Sequence, residues 1–164
     1  MSKKKEYPKF SVLMSLYIKE KAEYFDECMK SILCQTVLPA EIVIVFDGPI
    51  SISLRRIVEK YKLDNPELIK TVENKENKGL GLALADGVLV CTYELIARMD
   101  TDDIAREDRF EKQLDLFLAD PQLDICGSHI IEFEGNIENV LSKRNVPIEH
   151  EKIAKYQRQR SAFN

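Results

Sequence analysis

The sequence predicts an α/β fold, a Rossmann-like, mostly parallel sheet with helices on both faces, and three observations predict it. Short apolar runs alternate with stretches whose apolar residues recur every three or four positions. One run, Ile42 to Phe46 (IVIVF), is continuous and mostly β-branched, as expected of a strand covered on both sides. Three apolar runs stop at polar residues: at Ser15 to Tyr17, at Asp47, and at Asp100 to Asp103. Ligands of open parallel sheets sit outside the carboxyl ends of the strands, so these endings mark one edge of one cleft.

Taken in order, Phe10 to Leu16 reads as a central strand. Ala22, Phe25, Met29, Ile32 and Leu33 then fall at helical spacing, and Pro39 closes the connection to the strand at Ile42. Asp47-Gly48-Pro49 is a turn, after which Ser51 or Ser53 caps a helix carrying Leu54, Ile57, Val58 and Tyr61 on one face. Leu68 to Val72 reads as a weaker third strand, and Asn74 to Lys78 as a polar loop. Gly79-Leu80-Gly81 opens a helix with Leu80, Leu84 and Val88 on one face. The Tyr93 to Met99 strand delivers the acidic cluster. A helix from about Asp108 runs through Phe110, Leu114, Phe117 and Leu118 to Asp120-Pro121, and Leu123 to Phe133 reads as a strand with Gly127 as a bulge.

Composition narrows the function classes. The chain has 164 residues, 45% of them hydrophobic, which suits one domain with a core. A net charge of −4 is not the footprint of a nucleic-acid binder. No apolar stretch approaches the roughly 20 residues of a membrane helix. Residues 1–9, beginning MSKKKEYPK, read as a flexible, solvated arm, with 10–164 as the domain. The four cysteines show no zinc-ligand spacing, and Cys28, Cys91 and Cys126 lie in apolar surroundings. Buried thiols in a reducing, cytoplasmic compartment are expected. His129 and His150 receive no role.

The chemistry is expected between Tyr93 and Phe110. Asp100 and Asp102, two apart on an extended chain, face the same side. Carboxylates this close repel one another unless a cation sits between them, and a hard divalent ion with oxygen ligands also binds phosphate. Helix capping, by Asp103 above all, competes with that reading. An EF-hand fails because Ile104 and Ala105 stand where an oxygen ligand and a glycine are required. A phosphatase with an aspartate nucleophile in a DxD is a chemically sensible alternative, as is a nucleotide-binding domain without catalysis. Gly79 to Leu84 lacks the third small residue of the dinucleotide fingerprint. Arg106 and Arg109 are expected to pair with Glu107 and Asp108 rather than with a diphosphate.

FSVLMSLY, ECMKSILCQTVLPAEIVIVFDGP, ENKGLGLALADGV, ELIARMDTDDIAREDRFEKQ and DPQLDICGSHIIEF, in this order and spacing, resemble the family 2 glycosyltransferases with the GT-A fold. Within that family the blocks are similar to enzymes of bacterial exopolysaccharide and surface-antigen assembly, including the amylovoran type. The resemblance implies a nucleotide-diphosphate sugar donor, UDP-type favoured, a saccharide or lipid-linked saccharide acceptor, inversion, and Mn²⁺ or Mg²⁺. It implies that Ser15, Leu16 and Tyr17 lie along the base and ribose, that Asp47 accepts from a uracil-like base, and that Asn77, Lys78 and Gly79 reach over the nucleotide. Asp100 and Thr101 would lie by the donor, with Asp100 and Asp102 as the metal carboxylates and Asp103 at an extra acidic position. The base in this family lies well downstream of the DxD, so the chain is expected to be a donor-binding portion, with its base beyond Asn164. The tail Glu149 to Arg160 reads as a solvated helix, with contact to an anionic inner membrane face as its alternative.

Overall fold

The computed structural model describes residues 5–163. Strands β1 (Phe10–Leu16), β2 (Glu41–Phe46), β3 (Ile69–Glu73) and β4 (Leu95–Arg98) form one sheet in the order β3-β2-β1-β4. Every pairing in it is parallel. Helices α1 (Ala22–Leu33), α2 (Ile52–Asp64), α3 (Leu80–Val88) and α4 (Arg109–Ala119) each follow a strand, as a parallel sheet requires. The chain divides into two compact units, Met1–Leu114 and Asp115–Asn164. The second holds an antiparallel pair, β5 (Ile130–Phe133) with β6 (Val140–Arg144), and helix α5 (His150–Tyr156).

Strand alternation explains how the sheet is covered on both faces. Phe10, Val12, Met14 and Leu16 of β1, with Ile42, Ile44 and Phe46 of β2, point into one cluster with Phe25, Met29, Ile32, Leu54, Val58 and Phe110. Leu13, Val43 and Val45 point the other way, against Ala83 of α3. All six residues of β2 are buried, which accounts for the uninterrupted IVIVF run. Of the two serines proposed as a cap for α2, Ser51 serves: its Oγ accepts from the Leu54 N–H at 3.2 Å.

The face of α3 differs from expectation. Leu80 and Val88 are exposed; of the predicted face only Leu84 packs against the sheet, half-buried, and the fully buried positions are Ala83 and Gly87. A Cβ at Gly87 would collide with Leu13 Cδ1 and lie 2.8 Å from Val45 Cγ2, so the helix rides too close to the sheet for a larger residue. Gly87→Val is expected to destabilise by about 2 kcal/mol through overpacking, read as a lower urea midpoint at an unchanged slope.

The strand predicted from Leu123 begins only at Ile130, and the register shift falls between Glu132 and Phe133 rather than at Gly127. Of the predicted arm, residues 1–4 lie outside the described residues, while Tyr7 packs against the core and its hydroxyl donates to Glu111 Oε1 at 3.4 Å. None of the four cysteines is in a disulfide, and only Cys28 is fully buried; Cys91 and Cys126 are half-buried. His129 is structural, accepting the Val146 N–H on Nδ1. Of the predicted helical tail, Glu149 to Arg160, only His150–Tyr156 is helical (α5), and it buries no residue. Among the described residues no helix is long and apolar enough to cross a membrane.

At the amino-terminal edge of the sheet a buried carboxylate gathers four segments. Glu41, at the start of β2, accepts from Ser11 Oγ, from Lys70 Nζ at 2.6 Å, and from both the N–H and Oγ1 of Thr92. This network belongs to the pole opposite the strand endings described next.

Candidate donor site

The candidate site lies in the first unit and is laid out by strand register. Leu16 of β1 pairs with Phe46 of β2, so Tyr17 and Asp47 emerge together; the Asp47 N–H donates to Leu16 O at 2.8 Å. Leu13 pairs with Arg98 of β4, and the Met99 N–H donates to Leu13 O. Continuing that register by two residues brings Asp100 alongside Ser15. Asp47 and the acidic turn therefore flank the end of β1 at one edge of one sheet.

Asp47 is 3% exposed, and its carboxylate is already engaged. Oδ1 accepts the Lys78 N–H at 2.7 Å and Oδ2 the Gly79 N–H at 3.0 Å, while Asn77 Nδ2 donates to Asp47 O. Asp47 thus ties the 77–79 loop, and with it the start of α3, to the end of β2. Gly48 makes this approach feasible: its φ is +83°, and a Cβ there would lie 2.7 Å from Asn77 N. Lys78 Nζ pairs with Asp86, so the loop offers backbone and Asn77 to a ligand more readily than a free cation.

Around the acidic turn, Arg98 Nη2 pairs with Asp100 Oδ1. Asp103 donates its N–H to Asp100 O and does not cap α4, which begins at Arg109. Burial, then Asp100 and Asp102, push the Asp103 carboxyl above its usual range. Glu20 joins the cluster from the turn after β1, with its N–H on Tyr17 O. Its carboxyl is raised by burial first and then by Asp102 and Asp100, against a hydrogen bond from Thr101. Burial is the larger cause for both carboxyls, and the neighbouring aspartates add to it. Arg106 pairs with Asp108 as expected, whereas Arg109 donates to Arg98 O at 2.9 Å and so braces β4.

Among the described residues no group of three or more metal-type side chains is assembled around one point. The donor set nevertheless fits a hard divalent cation that takes its remaining ligands from phosphate and water: all oxygen, acidic and mutually repelling. Asp102 is exposed, while Asp100 must share its carboxylate with Arg98.

The remaining sequence-derived positions are placed unevenly. Tyr17, Asn77 and Lys78 are exposed at this edge, and Ser15 and Gly79 are half-buried. Leu16 is fully buried and Thr101 is 3% exposed; the Leu16 side chain packs in the core and its carbonyl is taken by Asp47. At those two positions the Leu16 carbonyl and the Thr101 side chain are already engaged, by Asp47 and by Glu20. Sequence reading passed over Glu20 and Arg98. Arg98 was within reach of the same two-residue rule that pairs Asp100 with Asp102.

The family model described as Glycosyl transferase family 2 matches residues 11–164. The chain belongs to that family. This family 2 chain is 44% identical over 95% of its length to an uncharacterized glycosyltransferase of Haemophilus influenzae. It is 39% identical over 94% to the amylovoran biosynthesis glycosyltransferase AmsE of Erwinia amylovora. It is 37% identical over 96% to an Escherichia coli UDP-Gal:alpha-D-GlcNAc-diphosphoundecaprenol beta-1,3-galactosyltransferase. The chain spans 58%, 57% and 56% of the lengths of these three curated relatives. Among solved structures, S. aureus TarS 1-349 in complex with UDP-GlcNAc superposes with a TM-score of 0.59 at 25% identity, over 68% of this chain and 32% of TarS 1-349. The GT-A expectation holds, and so does the resemblance to enzymes of polysaccharide assembly. Family membership stands against the phosphatase reading.

Proposed function

We propose that this family 2 chain binds a nucleoside-diphosphate sugar, UDP-type favoured, and presents it for transfer with inversion to a saccharide or lipid-linked saccharide at the cytoplasmic side of a membrane. The observation that carries the proposal is the placement of Asp47 and the Asp100–Asp103 turn at the same edge of the sheet, on either side of the end of β1. Asp47 supports the pyrimidine preference: an ionised carboxylate only accepts, and each of its oxygens has lone pairs left for an imide N–H. Tyr17, Ser15 and the 77–79 loop are proposed to line the nucleoside. Asp100 and Asp102 are proposed to hold Mn²⁺ or Mg²⁺ with the diphosphate. When bound, the ion supplies positive charge against the charge developing on the leaving oxygen. The new bond forms between an acceptor hydroxyl oxygen and the anomeric carbon as the bond to the diphosphate oxygen breaks on the opposite face; the hydroxyl proton passes to a carboxylate base. Relatives named for a UDP-sugar and for a diphosphoundecaprenol-linked sugar support the donor and acceptor classes.

Calorimetric titration of UDP into the chain, with Mn²⁺ and then with EDTA, tests the reading. Binding is expected to strengthen with the metal. In Asp102→Ala that gain is expected to disappear, a change of about tenfold or more, while Tm stays put because an exposed carboxylate supports little packing. Absent or metal-independent binding by the wild-type chain would overturn it.

A further inference from the structure

One face of α1 and the residues just after it hold the acidic turn from beneath. Cys28, Ser31 and Gln35 are spaced so that they share this face. Buried Cys28 donates its thiol to Asp100 O at 3.3 Å. Ser31 Oγ donates to Cys28 O at 2.7 Å and accepts the Ala105 N–H at 3.0 Å. Gln35, 6% exposed, donates Nε2 to Ser31 O and to Arg106 O at 2.7 Å, and accepts the Phe110 N–H on Oε1. The Thr36 N–H adds a bond to Glu107 O at 2.8 Å. Backbone atoms at Asp100, Ala105, Arg106, Glu107 and Phe110 are therefore tied to one helix and its exit. Between β4 and α4 the segment carries no regular structure of its own, so this ladder supplies what fixes it.

We propose that Cys28, Ser31 and Gln35 are positioning residues for the cation and diphosphate, setting where the Asp100–Asp103 carboxylates stand without touching either ligand. This rests on the donor-binding reading above. Two negative groups and a pyrophosphate converge on one ion only if their backbone is held to within a fraction of an ångström, and partners of this kind are worth about 10- to 100-fold in metal affinity. The Cys28 thiol acts here as a buried donor to the Asp100 carbonyl.

UDP affinity of the full chain, measured with Mn²⁺ and with EDTA, separates positioning from mere support. Cys28→Ala and Gln35→Met are expected to lower the Mn²⁺-dependent gain about 10-fold while leaving UDP affinity in EDTA unchanged. Cys28→Ser, whose hydroxyl can donate to the same carbonyl, is expected to restore the gain. Hydrogen exchange at the Phe110 amide is expected to quicken in Gln35→Met. Where Gln35→Met fails to fold, the Cys28 pair decides alone. Variants that keep the wild-type gain, or that lose affinity equally with and without metal, would overturn the proposal. A wild-type chain with no gain at all would instead refute the donor reading, and the ladder's role with it.

Discussion

Glu41→Gln is expected to cost about 3 kcal/mol and lower Tm by on the order of 10 °C. Burial alone would raise the Glu41 carboxyl, but bonds from Lys70, Ser11 and Thr92 outweigh it and hold the group at about 2, against 4.5 for the free side chain. A carboxyl that is more acidic in the folded chain stabilises it wherever the unfolded chain would also be ionised, so the contribution is complete above pH 4.5. As pH falls from 4.5 toward 2, the unfolded chain takes up a proton that the folded chain refuses, and the contribution is lost. The Tm gap between wild type and Glu41→Gln should therefore be widest at neutral pH and close across that window. Lys70 is half in solvent and can turn outward in the variant, which keeps the loss at the low end of that for a broken buried pair. An unchanged gap from pH 7 to pH 2.5 would show that the network, not the charge, carries the stability. UDP binding measured well below the variant's Tm should be unaffected, because Glu41 stands at the other end of the strands.

What could be read from the sequence was what periodicity reports: β2 from its unbroken β-branched run, α1 and α2 from their stripes, and the polar strand endings from the places where those runs stop. Size-based reading went only part of the way at α3: Leu84 packs against the sheet as expected, but the tightest contact is made by Ala83 and Gly87, whose value lies in what they lack. The helix was legible; its orientation was legible only at Leu84. Gln35 shows the second limit. Besides Ser31 four positions back, its partners lie 71 and 75 positions away, so nothing in its neighbourhood marks it as more than a surface amide after a helix. At the site, Asp100 and Asp102 were legible from their spacing, yet Glu20 enters the same field from 80 positions earlier, through a chain reversal that only the parallel sheet creates. Register converts separate polar endings into a shared edge, and register is a property of pairings rather than of any one strand.

Asp47→Asn is expected to be as damaging as Asp47→Ala, and that equivalence is diagnostic. Each carboxylate oxygen accepts a backbone N–H, from Lys78 and from Gly79, so whichever way an asparagine amide turns, its NH₂ faces a donor. The unpaired amide costs about 1–3 kcal/mol and releases the 77–79 loop from β2. Exchange at the Lys78 and Gly79 amides should quicken, and affinity for UMP in EDTA should fall about tenfold or more, since both the acceptor proposed for the base and the loop proposed to lie over it are disturbed. Asp102→Ala should do neither, because its effect is confined to the metal-dependent part of UDP binding. Gly48→Ala separates the two contributions of Asp47. It leaves the carboxylate intact but drives a Cβ into the backbone at Asn77 from a positive φ, so the loop must move while the acceptor remains. Loss of UMP binding in Gly48→Ala would place the loop itself over the nucleoside. Wild-type UMP affinity in that variant, alongside loss in Asp47→Asn, would leave Asp47 as the nucleoside's partner and remove the loop from the site.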